Sequence, residues 1–229
     1  MKPLKVIAFD ADDTLWENET FFREVEEKFE ELMESYLPRH TTARELLRTE
    51  IENIDLYGYG IKAFILSMIE TALRISDKTI PISAIEKIIA LGRAMLDKPV
   101  VLLPDVEEVL QRCKGKFRLV MATKGDLLDQ ERKLRKSGLE GYFHHIEIMS
   151  EKKEADYAKL IRHLDIKPEE FAMIGNSIKS DVLPVINLGG IGIHVPFHTT
   201  WAHEAVEAEI NHEKFFQVES IRDVPNLLQ

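Results

Sequence analysis

Short apolar runs that end at small or polar residues constrain the fold of this chain more than any other feature. Helical patterns separate these runs along the chain. Five runs stand out, at residues 4–9, 117–122, 145–149, 171–174 and 190–195, with a weaker edge candidate at 215–218. Buried parallel strands have this appearance, and alternating strands and helices are typical of α/β proteins. The pattern predicts a doubly wound, Rossmann-like parallel sheet.

The long interval between the first two runs has a different character. Residues 17–100 contain no convincing strand, but apolar residues recur there at helical spacing among charged ones. Four such patterns lie at 19–36, 42–53, 61–76 and 83–96. We therefore predict an α/β core domain at 1–16 and 101–229, and a small α-helical bundle domain at 17–100.

The composition narrows the classes of partner. The net charge of −10 disfavours a partner with a phosphate backbone, so we expect no nucleic acid. No stretch of about 18 apolar residues occurs, so we expect no membrane partner. The single cysteine, Cys113, cannot form an internal disulfide, which favours a cytoplasmic location. The oligomeric state, monomer or dimer, stays open.

Polar side chains follow four of the apolar runs. In open α/β sheets the ligand crevice lies outside the carboxyl ends of the strands, so these residues are candidates for one site. They are Asp10 and Asp12 after the first run, Thr123 and Lys124 after the second, Lys152 and Lys153 after the third, and Asn176 and Asp181 after the fourth.

This set of residue types suits phosphoryl transfer. Two close carboxylates repel each other unless a divalent cation lies between them or one keeps a proton for chemistry. A carboxylate can attack phosphorus and split one displacement into two easier ones, while a hard cation neutralises the transferring oxygens. The hydroxyl of Thr123 and a lysine ammonium would stabilise the same oxygens.

The residues, in this order, resemble the motifs of the haloacid dehalogenase superfamily, most of whose members are phosphatases. The first motif stands as Asp10-Ala11-Asp12-Asp13-Thr14 after an apolar strand, and the second as a strand that ends in Thr123. The resemblance implies that Asp10 is the nucleophile and a ligand of Mg²⁺. It also implies that Asp12 is the general acid and base and binds Mg²⁺ through its backbone carbonyl.

Two further motifs complete the resemblance and leave choices open. The third is a lysine ahead of a helix, and we prefer Lys152 to Lys153 from its distance to Tyr157. The fourth carries Asn176 where the family usually has an acid, so both Asn176 and Asp181 are candidate metal ligands. Thr123, Lys124 and Lys152 are expected to bind the substrate. The interval 17–100 looks like the family's helical cap, inserted after the first motif.

The function expected from this resemblance is magnesium-dependent hydrolysis of a small phosphorylated metabolite through an aspartyl phosphate. One alternative is a phosphomutase, which returns the phosphoryl group to a sugar instead of water. A second alternative is a non-enzymatic phospho-acceptor receiver domain. Receivers carry the phosphorylated aspartate on a middle strand and have no large helical insertion after the first strand, and both points argue against that alternative here.

Overall fold

A computed structural model of the protein describes residues 3–204, 206 and 210–228. One sheet contains the strands β1 (Val6–Phe9), β2 (Arg118–Lys124), β3 (His145–Met149), β4 (Phe171–Gly175), β5 (Ile191–His194) and β6 (Phe215–Gln217). The strand order is β3-β2-β1-β4-β5-β6, and every neighbouring pair is parallel. The predicted doubly wound parallel sheet is therefore confirmed.

The helices lie in the intervals where the sequence shows helical spacing. They are α1 (Glu19–Met33), α2 (Arg39–Tyr57), α3 (Ile61–Ile75), α4 (Ile82–Asp97), α5 (Val106–Cys113), α6 (Leu127–Ser137), α7 (Glu154–His163), α8 (Leu183–Asn187) and α9 (Val224–Leu227). Within the described ranges, none is long and apolar enough to cross a lipid bilayer.

Both faces of the sheet are buried, because successive side chains of a strand point to opposite sides. From β1, Ile7 and Phe9 join a cluster that includes the apolar side of α5. Val6 and Ala8 join a second cluster that includes the apolar side of α7. This double burial explains why the strands appear in the sequence as continuous apolar runs rather than alternating ones.

The chain divides into two compact units, and their limits differ in detail from the predicted domains. The first comprises Met1–Glu19, Val100–Lys124 and Gln130–Gln229, and the second comprises Thr20–Pro99 and Gly125–Asp129. The segment Gly125–Asp129, which the predicted limits place in the core domain, groups with the helical residues in this division. Within that second unit, Lys62 Nζ forms an ion pair with Asp126 Oδ2 at 2.7 Å.

The second unit has its own apolar core. Phe29 of α1, Leu46 of α2, Met68 of α3 and Ile88 of α4 are all buried in it. A glycine brings two of these helices close together, since a Cβ atom at Gly92 of α4 would lie 1.8 Å from Ile65 Cδ1 of α3. The helical pattern of this region therefore reflects four helices that pack on one another.

The carboxyl end of β1 lies where the strand order reverses direction. β1 has β2 on one side and β4 on the other, and in open α/β sheets ligands bind in the crevice at such a switch point. One local prediction needs correction beside it. β2 continues beyond the predicted run through Thr123 and Lys124, because they pair with Ile148 and Met149 of β3. The helical segment after β4 begins with a π-helical turn, Ile178–Val182, before α8.

Candidate active site

Asp10 stands at the carboxyl end of β1 and is almost completely buried. Its backbone N–H donates to Ile174 O of β4 at 2.8 Å, which extends the ladder of the sheet by one residue. Lys152 Nζ donates to Asp10 Oδ1 and also to Asp181 Oδ1, the latter at 2.7 Å. Lys152 itself is only 4% exposed, so one ammonium lies between two buried carboxylates.

This arrangement shifts the protonation of the buried groups. Burial raises the pKa of Asp10 to about 7 against the opposing charge of Lys152, and Asp181 adds to the rise. Burial also disfavours the charged Lys152, but Asp10 and Asp181 outweigh that effect and hold the lysine pKa above its ordinary value. A single positive charge is thus shared by two carboxyl groups. When both are ionised, the site carries excess negative charge that a cation would neutralise.

Asn176 follows β4 and faces the same carboxylate from the other side. Its backbone N–H donates to Thr14 Oγ1 at 3.1 Å, and His194 Nε2 lies 3.0 Å from its backbone oxygen. One terminal atom of its amide lies 3.2 Å from both Asp10 Oδ2 and the backbone oxygen of Asp12. With nitrogen at that position, the amide donates to both acceptors. With oxygen there, three oxygens converge, as around a hard cation.

Asp181 approaches this cluster through the π-helical turn. Its Oδ1 accepts from Lys152, and its Oδ2 accepts from the backbone N–H of Ser177 at 3.0 Å. Gly175 makes the approach possible, because a Cβ atom there would lie 2.1 Å from Asp181 Oδ2. Both oxygens of Asp181 therefore bond to protein donors, whereas Asp10 Oδ2 faces Asn176.

Asp12 has a separate set of partners. Trp16 Nε1 donates to its Oδ1 at 2.7 Å, and Lys133 Nζ donates to the same oxygen at 2.6 Å. Gln130 Nε2 donates to its Oδ2 at 2.8 Å. The side chain remains 24% exposed, in contrast to the buried Asp10.

Thr123 lies within β2 and shares a hydrogen-bond partner, Gln130, with Asp12. Gln130 Nε2 is 3.2 Å from Thr123 Oγ1 and 2.8 Å from Lys124 O, so a single amide contacts Asp12, Thr123 and Lys124. The Thr123 hydroxyl itself donates to Lys124 O at a long 3.4 Å, and it would have to exchange this weak bond for one to a phosphoryl oxygen.

Lys124 lies in a second polar cluster that the sequence did not suggest. Lys124 Nζ pairs with Glu204 and donates to Ser180 Oγ at 3.0 Å. The hydroxyls of Ser177 and Ser180 donate to Glu204 Oε2 at 2.5 and 2.6 Å. Burial alone would raise the pKa of Glu204, but Lys124 and the two hydroxyls lower it to about 2. Glu204 is therefore an ionised internal partner of Lys124.

Several residues of the site were not predicted from the sequence. Gln130 and Lys133 are three residues apart on one face of α6, directly after Thr123-Lys124, and that spacing is a signal that points them toward the same rim. Glu204 follows β5 at a distance and carries no comparable signal. Of the two candidate lysines, Lys152 lies in the carboxylate cluster, whereas the side chain of Lys153 is 73% exposed and lies near Glu151.

The fold and the site define a doubly wound α/β protein with a carboxylate and lysine cluster at the switch point of its sheet. The family model of haloacid dehalogenase-like hydrolases matches residues 4–189. A solved haloacid dehalogenase-like family hydrolase from Xanthomonas campestris is 36% identical, with a TM-score of 0.89 over 98% of this chain and 90% of that chain. This chain belongs to the haloacid dehalogenase-like hydrolases.

More distant relatives extend the comparison. N-acylneuraminate-9-phosphatase of Mus musculus is 26% identical over 56% of this chain and 52% of its own length, so the chain matches about half of that relative. A structure from Haemophilus somnus, described as a predicted phosphoglycolate phosphatase, covers 100% of both chains with a TM-score of 0.65. Its identity of 15% shows a shared fold alone.

Proposed function

We propose that the protein is a phosphatase that hydrolyses a small phosphorylated metabolite through a phosphorylated Asp10. The observation that carries this proposal is the environment of Asp10: Oδ1 bonds to Lys152, while Oδ2 faces the Asp12 carbonyl and the Asn176 amide. A buried carboxylate with a fixed ammonium on one side and oxygen ligands on the other suits attack on phosphorus. The phosphatase among the relatives supports the same reaction.

The residues fit a divalent cation, and we propose Mg²⁺. In the described ranges, no three His, Cys, Asp or Glu side chains form a metal-binding group. The donors that converge instead are Asp10 Oδ2, the Asp12 carbonyl and the Asn176 amide. Magnesium takes oxygen donors and keeps several waters, so few protein ligands suffice. When bound, the cation would supply positive charge for the phosphoryl oxygens and Asp10.

In the proposed reaction, an Asp10 oxygen forms a bond to phosphorus as the bond from phosphorus to the ester oxygen breaks. Asp12 gives its proton to that leaving oxygen. Water then attacks the phosphorus of the aspartyl phosphate, its proton passes to Asp12, and the bond between phosphorus and Asp10 breaks. Lys152, Thr123 and Lys124 hold the phosphoryl oxygens by charge and hydrogen bonds.

The positions of Asn176 and Asp181 suggest a division between the two candidate ligands. We propose that Asn176 binds the cation directly, because its amide faces Asp10 Oδ2 and the Asp12 carbonyl. Asp181 instead anchors Lys152, since its two oxygens accept from Lys152 and from the Ser177 N–H.

We further propose that residues 1–16 and 101–229 carry the catalytic function and that the helical residues 17–100 act as a cap that selects the substrate. The four-helix core of the second unit supports a module that folds separately. The single cysteine, which is buried and unpaired, supports the proposed cytoplasmic location.

A panel of phosphorylated metabolites tests the proposed function. Phosphate release is measured for each compound with Mg²⁺, with EDTA, and with EDTA followed by excess Mg²⁺. We expect release that depends on the metal, together with a phosphate adduct on the peptide that contains Asp10 after acid quenching. Isomerisation of sugar phosphates without phosphate release would assign the protein to the phosphomutases. No turnover of any compound and no adduct would contradict the proposal.

A further inference from the structure

The Asp12 carboxylate is held by three donors that converge from two parts of the chain. We propose that Lys133 and Gln130 are positioning residues that fix this carboxylate so that one of its oxygens, Oδ2, exchanges protons with the leaving group and with water. This inference rests on the proposed function, because it concerns how the proton donor of that reaction is oriented. It adds two residues of α6 and a specific oxygen to the mechanism.

The hydrogen bonds of Asp12 distinguish its two oxygens. A carboxylate oxygen has two lone pairs, and each can accept one hydrogen bond. Both positions on Oδ1 are taken, by Trp16 Nε1 at 2.7 Å and by Lys133 Nζ at 2.6 Å. Within the described part of the chain, Oδ2 accepts from Gln130 alone. Its second lone pair is therefore available for a proton, whereas Oδ1 has no position left for one.

The donors are themselves fixed, so the carboxylate cannot turn without breaking several bonds. Trp16 is fully buried, and Lys133 Nζ also donates to Asn18 Oδ1 at 3.1 Å. Gln130 is buried as well, and its second N–H reaches Lys124 O at 2.8 Å. Rotation of the carboxylate away from this orientation would leave the buried donors of Trp16 and Gln130 without acceptors, which is costly.

Gln130 also connects the proton donor with the group expected to hold the phosphoryl oxygens. Its amide nitrogen lies 2.8 Å from Asp12 Oδ2 and 3.2 Å from Thr123 Oγ1. The distance between the proton on Oδ2 and a phosphoryl group at Thr123 is thereby set by one rigid amide. Such alignment matters because small displacements of a reacting group reduce rates strongly.

The test compares two esters in Lys133→Met, with Lys136→Met as the matched control. Lys136 is an exposed lysine one turn further along α6, so its loss removes the same charge from the same helix. The esters are p-nitrophenyl phosphate, whose leaving group needs little protonation, and the alkyl phosphate that the wild type hydrolyses best. The ratio kcat/KM is measured because it reports the steps up to departure of the leaving group.

We expect Lys133→Met to lower kcat/KM for the alkyl phosphate about tenfold or more, since general acid help is withdrawn. For p-nitrophenyl phosphate the loss should stay within about threefold, because that leaving group departs without a proton. Lys133→Arg should restore most of the alkyl activity. Lys136→Met should behave as the wild type with both esters.

Gln130→Met provides a second variant, which keeps the length of the side chain and removes both donors. It should show the same preference for the aryl ester, with thermal unfolding checked for each variant. Equal losses with both esters, or a Lys133→Met variant that matches Lys136→Met, would overturn the positioning role. A wild type that hydrolyses neither ester would instead remove the proposed function, and the inference with it, before any variant is compared.

Discussion

Asp10 and Asp12 lie on the same short loop, yet their surroundings differ in nearly every respect. Asp10 is buried and paired with Lys152, an ammonium that also serves Asp181. Asp12 is partly exposed and paired with Lys133, which comes from α6. Each acid thus has its own lysine, and the two lysines approach from different elements of the fold.

The difference shows how one loop can supply two chemical roles. The surroundings of Asp10, called the Asp10 side below, are buried, and this burial raises the pKa of the carboxyl to about 7 against the charge of Lys152. The surroundings of Asp12, called the Asp12 side below, remain accessible to solvent, and Oδ2 keeps one open lone pair. A nucleophile benefits from the Lys152 ammonium in the first setting, because that charge favours the ionised carboxylate, and a proton carrier benefits from the open lone pair in the second.

The largest loss of activity is expected when Asp10 itself is replaced. Asp10→Asn removes the attacking carboxylate, so turnover of an aryl phosphate should fall by about 10⁴-fold or more. Phosphate release with Mg²⁺ measures this, and circular dichroism checks the fold. Asp13→Asn is the matched control, because Asp13 is a buried neighbour that accepts from the N–H groups of Asn18 and Glu19. Turnover that survives in Asp10→Asn would exclude the covalent mechanism.

A smaller loss is expected on the Asp12 side. Asp12→Asn should reduce turnover about a hundredfold, because general acid and base help is of that order. With an aryl phosphate, the first step should still proceed and the phosphorylated enzyme should accumulate. Mass spectrometry of the acid-quenched protein would detect the adduct. If Asp10→Asn and Asp12→Asn proved equally inactive and equally free of adduct, the division of roles between the two sides would be wrong.

Asn176 tests whether the Asp10 side holds the cation. Asn176→Ala should weaken Mg²⁺ binding about tenfold or more, as measured by isothermal titration calorimetry without substrate. Asn176→Asp should strengthen it, because a carboxylate replaces a neutral amide. Asp181→Asn should weaken binding less than Asn176→Ala does. The reverse order of the last two variants would transfer the role of direct ligand to Asp181.

The smallest effect on activity is expected from Glu204. Its carboxylate accepts a hydrogen bond from Ser177 and pairs with Lys124, next to the Asp10 side. Its pKa falls from an ordinary value of 4.5 to about 2 in the folded protein, so its contribution to stability is present above pH 4.5. That contribution is lost as the pH falls from 4.5 through 2. Glu204→Gln should lower the free energy of unfolding by about 2 kcal/mol at pH 7.

Urea denaturation at pH 7 and at pH 3 measures this difference between the wild type and Glu204→Gln. We expect the difference to shrink at the lower pH, because at pH 3 the unfolded chain binds a proton at Glu204 while the folded protein still holds it ionised, which favours unfolding of the wild type. A difference that is equal at both pH values would show that Glu204 contributes through packing rather than through its charge.

Much of the fold was predictable because parallel strands buried on both faces require continuous apolar runs. The runs at 4–9 and 145–149 end where the structure ends β1 and β3, and even the weak run at 215–218 forms β6. The π-helical turn Ile178–Val182 was not predictable. It depends on the Ser177 side chain, which accepts from the Ser180 N–H, and periodicity does not report such a bond.

The sequence by itself determined the parallel sheet and the convergence of Asp10, Asp12, Thr123 and Lys152 at one rim, because parallel strands deliver their carboxyl ends to the same edge. Only the tertiary structure decided which atoms meet there. Lys133 reaches Asp12 across 121 positions of sequence, and Lys152 reaches Asp10 across 142. Asn176 rather than Asp181 faces Asp10 Oδ2. These choices depend on how side chains from distant segments pack, and no local pattern encodes that.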